Sequence, residues 1–190
     1  MELLLPAILI GGPILIVLLW YIVIYNRFVA LKQHMKESWA DVDVELKRRY
    51  DLIPNLVSTV KGYAKHERGV FESLAKARAA AQANVGDPAR QSGDEQRLVG
   101  QLGKLFAVAE AYPDLKADAN FLDLQDELSN TEDRIAASRR FYNGNVRELN
   151  TLRESFPSSI VASISGFEQG GFFEVEDSSH RESPSVHIDV

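Results

Sequence analysis

Cysteine is absent from the 190 residues, which excludes disulfides, thiol nucleophiles and cysteine-ligated zinc. Neither glycine nor proline occurs between Pro13 and Pro54, so nothing in that stretch breaks a helix. An excess of basic charge is lacking too. Residues 27–167 hold 20 acidic and 20 basic side chains. The net charge of −6 comes from Glu2 and from the stretch 168–190, where Glu168, Glu174, Glu176, Asp177, Glu182 and Asp189 are opposed only by Arg181. Binding to phosphate backbones needs a basic footprint, so nucleic acid is not an expected partner. The chain carries no glycine-rich phosphate loop, no nucleophile elbow and no HExxH, the short motifs of phosphate binding, serine hydrolysis and zinc hydrolysis. Ahead of the acidic tail the histidines are His34 and His66. Di-metal sites in helical bundles use Glu-x-x-His, and the positions three residues before these are Leu31 and Tyr63. The expectation is therefore no catalytic group, no metal site and no cofactor.

What the chain does have is a long uncharged run. Glu2 is the one charge in the first 26 residues, and Leu3 to Ile24 carries none, through Ile10, Ile14 and Trp20. A helix of that length spans roughly 33 Å, enough to cross a bilayer core. A cleaved secretory signal wants a basic start, a shorter apolar run and a small-residue cleavage site; here the start is acidic and Tyr25-Asn26-Arg27-Phe28 follows. A retained anchor is expected. Arg27, Lys32 and Lys36 flank it on the C-terminal side, so the positive-inside rule places the N-terminus outside and the remainder in the cytoplasm. Ala7 and Gly11 have the spacing of a small-residue packing motif, though small residues are common in membrane helices in any case.

Beyond the anchor the period is helical. Phe28, Leu31, Met35, Trp39, Val42 and Leu46 form one stripe at 3,4 spacing, a helix continuous with the anchor and ending near Tyr50. Asp51 reads as the next N-cap, with Pro54 in the first turn. A second helix, roughly 52–84, carries Leu56, Val60, Tyr63, Val70 and Leu74. A loop follows from Asn84 to Gly93, and Ser92 with Glu95 fits a capping box. The third helix places Leu98, Leu102, Leu105, Ala109 and Tyr112 on one face and ends at Pro113. The fourth, from about Asp118, runs Phe121, Leu124, Leu128, Thr131, Ile135, Ser138, Tyr142, Asn145, Leu149, Leu152 and Phe156 in unbroken 3,4 alternation. Its polar positions Thr131, Ser138 and Asn145 either fix the register of a buried seam or face a wet edge. The fold class is all-α: a transmembrane helix continuing into an antiparallel, four-helix-type bundle of long helices. The divisions are 1–26 for the anchor, 27–156 for the bundle, 157–173 for an amphipathic juxtamembrane or packing segment, and 174–190 for a tail whose acidic, serine-rich composition reads as disordered.

Several strings are those of a known family. They are Tyr25-Asn26; Trp39-Ala40-Asp41-Val42-Asp43-Val44; Leu46 through Asp51 and on to Pro54-Asn55-Leu56-Val57; Val60-Lys61-Gly62-Tyr63-Ala64 with His66-Glu67; Leu105 through Tyr112-Pro113-Asp114 to Ala117; and Arg134-Ile135-Ala136-Ala137 leading to Arg139-Arg140-Phe141-Tyr142-Asn143. In these the chain resembles the LemA family of bacterial membrane proteins, from the anchor to about Phe173. The resemblance implies one N-terminal span, an outside N-terminus, a cytoplasmic helical bundle and no catalytic activity. It also implies a place in envelope or membrane organisation, since relatives include magnetosome-membrane proteins. Two features depart from the family: Gly144, where the family usually continues Tyr-Asn-Asp, and the tail after Gly166.

Three constellations remain. Lys47-Arg48-Arg49-Tyr50-Asp51 reads as a basic docking patch, or as Arg48 or Arg49 paired with Asp43, Asp51 or Glu110, the commoner use of charge runs on helices. Tyr112-Pro113-Asp114-Leu115 should be a turn meeting the 51–54 turn at a membrane-distal tip. Arg48, Arg49, Asp51, Tyr112 and Asp114 are thus the docking candidates, against a purely structural turn. The run from Ser155 to Phe167 carries no charge. On a wheel Ile160, Val161, Ile164 and Phe167 share a face opposite Ser158, Ser159, Ser163 and Ser165, an interfacial pattern. Its alternatives are the inner leaflet and protein packing. Antiparallel passes bring this segment back to the lipid, and the greater length of the fourth helix requires a staggered bundle or a break at Gly144. The function expected is a non-enzymatic, self-associating scaffold at the bacterial inner membrane, with the bilayer and further copies of itself as partners. The alternative is an adaptor or regulator of a membrane enzyme such as an envelope protease, with a membrane protein as partner.

Overall fold

The computed structural model describes residues 4–84, 86 and 88–174. Leu3 of the expected span and the tail from Val175 onward lie outside the described residues. Among the described residues there are six helices and no strand. They are α1 (Leu4–Tyr63), α2 (Arg68–Ala83), α3 (Pro88–Glu110), α4 (Pro113–Lys116), α5 (Ala119–Glu154) and α6 (Ser158–Ser165). The all-α class expected from the 3,4 periodicity is the one found. One helix, α1, is long and apolar enough to cross a membrane.

Helix α1 does not stop at Tyr50. It runs on through Asp51 and Pro54 to Tyr63, and the turn lies at Ala64–Glu67. Asp51 is therefore an exposed position inside a helix, not a cap. Proline inside a helix leaves the carbonyl four residues back without its donor, here that of Tyr50. The Arg78 guanidinium of α2 supplies the missing bond, with Nε donating to the Tyr50 carbonyl at 2.7 Å. A tertiary contact thus replaces the intrahelical one and lets the helix pass Pro54. The consequence is testable in a double-mutant cycle. Arg78→Ala should cost about 1.5–3 kcal/mol. In a Pro54→Ala background, where the backbone amide returns, it should cost clearly less when urea unfolding curves are compared. Equal costs in both backgrounds would sink this account.

With residues 52–63 absorbed by α1, α2 is short, 16 residues. The expected loop to Gly93 shrinks as well, because α3 begins at Pro88, where proline is at home in a first turn. Ser92 and Glu95 then lie inside α3 and are no capping box: Ser92 donates its hydroxyl to the Glu174 carbonyl, and Glu95 is buried. The start of α5 is as the sequence indicates. Asp118 caps it by accepting from the Phe121 amide at 3.0 Å. Gly144 does not break the helix.

The chain divides into two compact units. The first comprises Met1–Leu46 and Glu132–Phe172. Two long helical stretches, from α1 and α5, meet there with α6. Phe28, Leu31, Val42, Leu46, Ile135, Tyr142, Val146, Leu149 and Leu152 are buried in it. Half-buried Asn145 links α5 to α1: its amide donates to Ser38 Oγ at 3.0 Å and to the His34 carbonyl at 3.3 Å. At this level Val146 replaces Asn145 as the fully buried residue, the drift of a 3.6-residue helix past a 3.5-residue seam. After α6 the chain returns as an extended strap. Asn150 grips Gly170 from both sides, donating to its carbonyl at 3.0 Å and accepting from its amide at 2.8 Å. Tyr142 holds the Gly171 carbonyl at 2.8 Å.

The second unit comprises Lys47–Thr131 and the chain from Phe173 on. Here Lys47–Tyr63 of α1, α2, α3, the short α4 and the beginning of α5 gather around Ile53, Leu56, Val60, Leu74, Leu98, Leu105 and Leu115. Thr131, the first of the polar seam positions, is buried with its hydroxyl donating to the Glu127 carbonyl at 2.8 Å.

Candidate functional site

The sequence directs attention to two places, the uncharged segment 155–167 and the residues around Arg48 and Tyr112. The first becomes a defined site in the first unit. Ser158 opens α6 by donating its hydroxyl to the carbonyls of Leu152 (2.6 Å) and Ser155 (2.9 Å), tying the helix to the end of α5. Val161 and Ala162 then pack into a cluster with Phe28, Leu31, Leu149 and Leu152, against which Trp20, Tyr21, Ile24 and Phe167 also pack. Gly166 ends α6 at φ +68°, a left-handed conformation that favours glycine, and folds the chain back. Phe167 consequently stacks on Phe28, with centroids 4.7 Å apart and planes at 16°, and tilts against Tyr25 at 5.5 Å. Arg153 holds the Phe167 carbonyl at 3.1 Å. A hydrogen bond of 2.8 Å joins the Tyr21 hydroxyl to Ser165 Oγ. The short helix is thereby fastened along α1 between residues 20 and 28, where the apolar run gives way to the first charges, and among aromatic residues of the kind that gather at membrane interfaces.

The four residues assigned to one interfacial face do not share it. Val161 and Phe167 turn inward, whereas Ile160 and Ile164 stand out, Ile164 being 70% exposed. The inner side of α6 is Ser158, Val161 and Ala162. A wheel ranked by hydrophobicity misplaces Ser158 because its hydroxyl is satisfied by two carbonyls, so its burial carries no cost. Phe156, assigned to the α5 seam, lies past the last residue of α5 and is 83% exposed. The outward set is thus Phe156, Ile160 and Ile164. On α1, Ile14 is exposed, Trp20 is half-buried and Ile24 packs on the cluster, while Ile10 lies in the helix. The charged side chain placed in the site, Arg153, is engaged with the Phe167 carbonyl. The site's outward residues Phe156, Ile160 and Ile164 are exposed and apolar.

The second group is dispersed. Arg48 is half-exposed and pairs with Glu127 at 3.2 Å. Arg49 is buried, in an ion pair with Glu95 of α3, and Tyr50 donates its hydroxyl to the same carboxylate. Pairing is what these arginines do, with partners other than Asp43, Asp51 or Glu110. Burial pushes the Glu95 carboxyl above its ordinary range, opposed mainly by the Arg49 charge. Burial and the neighbouring carboxylate push the Tyr50 phenol up. Tyr112 and Asp114 lie where α4 begins, half-buried and exposed. Because no turn exists at 51–54, the expected shared tip does not form. It is the end of α1 that meets this connection, through Tyr63 donating to Asp118 at 2.8 Å. The burial of Arg49 does leave a signal in the residue order. Val42, Leu46, Arg49, Ile53, Leu56 and Val60 continue the 3,4 alternation straight across Pro54, and all six are buried. Among the described residues no cluster of His, Asp and Glu is arranged to hold a metal ion.

A family model described as the LemA family matches residues 38–188. The match crosses the segment after Gly166, so that stretch is not foreign to the family as its sequence had suggested. Among curated proteins, the chain is similar to the magnetosome protein MamQ of Magnetospirillum gryphiswaldense, 25% identical over 174 residues covering 78% of this chain and 64% of that protein. It is equally similar to the magnetosome proteins MamQ 1 and MamQ 2 of Paramagnetospirillum magneticum, at 25% over 175 residues, 79% of this chain and 64% of each. The chain spans less than two thirds of the length of these relatives.

Proposed function

The chain belongs to the LemA family, and from that premise we propose that it is a non-enzymatic, membrane-anchored helical scaffold whose copies associate through the outward face of α6. Membrane association is supported by α1 and by the kinship with magnetosome proteins. The single observation that carries the scaffold reading is the α6 junction. A helix fastened to the anchor by a packed cluster presents Ile160 and Ile164 to the outside, with exposed Phe156 just ahead of it, all within the uncharged stretch from Ser155 to Phe167. Exposed apolar surface of this kind marks protein or membrane contact. With Arg27, Lys32 and Lys36 following the span, the positive-inside rule assigns the helical units to the cytoplasmic side of the inner membrane.

The absence of cysteine makes the test clean. A single cysteine at Phe156, oxidised with copper phenanthroline in membranes carrying the full chain, should give cross-linked dimers, while one at exposed Val99 should not. Monomer alone from Phe156, together with quenching of a bimane label at Ile164 by brominated lipid, would place α6 in the bilayer and overturn this account of self-association. The adaptor reading would then take its place.

A further inference from the structure

The second unit carries a groove of about 860 Å³ between the last turns of α1 and the first turns of α2. Ile53, Val57 and Phe71 give it an apolar floor. Lys61 in the last turn of α1, Lys65 in the turn and Arg68 at the head of α2 also line it. Lys61 Nζ sits 5.4 Å from the centre of the Phe71 ring, so one of these cations lies over the floor itself. Among the described residues, no carboxylate is in ion-pair contact with Lys61, Lys65 or Arg68. Glu72 is the one acid in the lining. Arg78, also in the lining, is committed to the Tyr50 carbonyl.

These features stand out in a stretch, 27–167, that is electrically neutral as a whole. Cations without an ion-pair partner among the described residues, grouped around buried and half-buried apolar side chains, are complementary to a surface that is apolar with carboxylates beside it. From Ile53 to Lys61 the groove follows α1 for about 12 Å, a little over two helical turns, the length over which amphipathic helices dock through apolar anchors at i, i+3 or i+4, and i+7. The cations are spread from α1 across the turn to α2. A free phosphate would use these cations alone and leave the apolar floor of Ile53, Val57 and Phe71 unmatched, so an apolar face with carboxylates beside it fits better.

We propose that this groove docks an acidic amphipathic helix of a partner protein, its apolar face on Ile53, Val57 and Phe71 and its carboxylates against Lys61, Lys65 and Arg68. The groove lies in a different unit from α6, so its failure and that of the scaffold reading are read separately, one by peptide binding and the other by self-association.

The test uses the full chain in mild detergent and a fluorescein-labelled peptide of about 14 residues, leucines at helical spacing flanked by glutamates. Its counterpart carries lysine for every glutamate. Fluorescence anisotropy should show saturable binding of the acidic peptide and none of the basic one. Lys61→Glu with Lys65→Glu should weaken binding roughly tenfold or more while the protein stays folded with a single cooperative melting transition, because both side chains are exposed. Adding Arg68→Glu should let the basic peptide bind instead. No saturable binding, equal binding of both peptides, or indifference to the charge reversals would overturn the proposal. So would displacement of the peptide by short-chain phosphatidylglycerol with phosphatidylcholine inert, which would assign the groove to lipid.

Discussion

Arg49→Ala is expected to destabilise the protein by about 3–5 kcal/mol, the cost of leaving one member of a buried ion pair alone, seen as a fall in Tm of about 6–20 °C. Arg49 and Glu95 are both almost wholly buried, and Tyr50 donates to the same carboxylate. Removing the guanidinium strands a charge that burial already disfavours. The pH dependence identifies the cause. In the variant the folded-state pKa of Glu95 rises further above its unfolded value of about 4.3. Between those two values the folded state binds more protons than the unfolded state, so stability falls as pH rises. The deficit against the parent should therefore be smallest below about pH 4 and reach a plateau above the folded pKa. Adding Glu95→Gln should recover part of the loss at neutral pH and flatten this profile. A deficit independent of pH would mean that lost packing, not the stranded carboxylate, is responsible.

The second large effect belongs to the other unit. Phe28 is fully buried, stacks on Phe167 and contacts the cluster that includes Val161 and Ala162. Phe28→Ala should cost about 3–5 kcal/mol, the transfer and cavity cost of a buried aromatic ring. Phe28→Leu, which keeps most of the volume, should cost about 1.5 kcal/mol or less. Chemical unfolding of the full chain in detergent gives both numbers. A cost for Phe28→Ala under about 1 kcal/mol would mean that α6 is not fastened to the anchor by this ring.

Much of this architecture is legible from residue order. The uncharged run to Ile24 and the 3,4 stripes yield a helix long and apolar enough to cross a membrane, the all-α class and a helix from about Asp118, because each rests on local chemistry. What is not legible rests on distant partners. Pro54 reads as a helix start because the rule assumes an orphaned Tyr50 carbonyl; Arg78, on the following helix, removes that premise. Arg49 reads as docking charge or as a partner of Asp43, Asp51 or Glu110 because its actual partner, Glu95, lies two helices on, in α3, and itself reads as part of a cap. In α6 the apolar residues are legible, but which of them face inward depends on Ser158 being satisfied by Leu152 and Ser155, and on the fold-back at Gly166 carrying Phe167 onto Phe28.

The most direct test of the scaffold account is the mass of the full-length protein in mild detergent, by light scattering, beside Ile160→Asp with Ile164→Asp. These two positions are exposed, so the changes leave the cluster around Val161 intact, which truncation after Phe156 would not. A defined oligomer that falls to monomer in the double variant is the predicted result. A monomer in both would contradict the account.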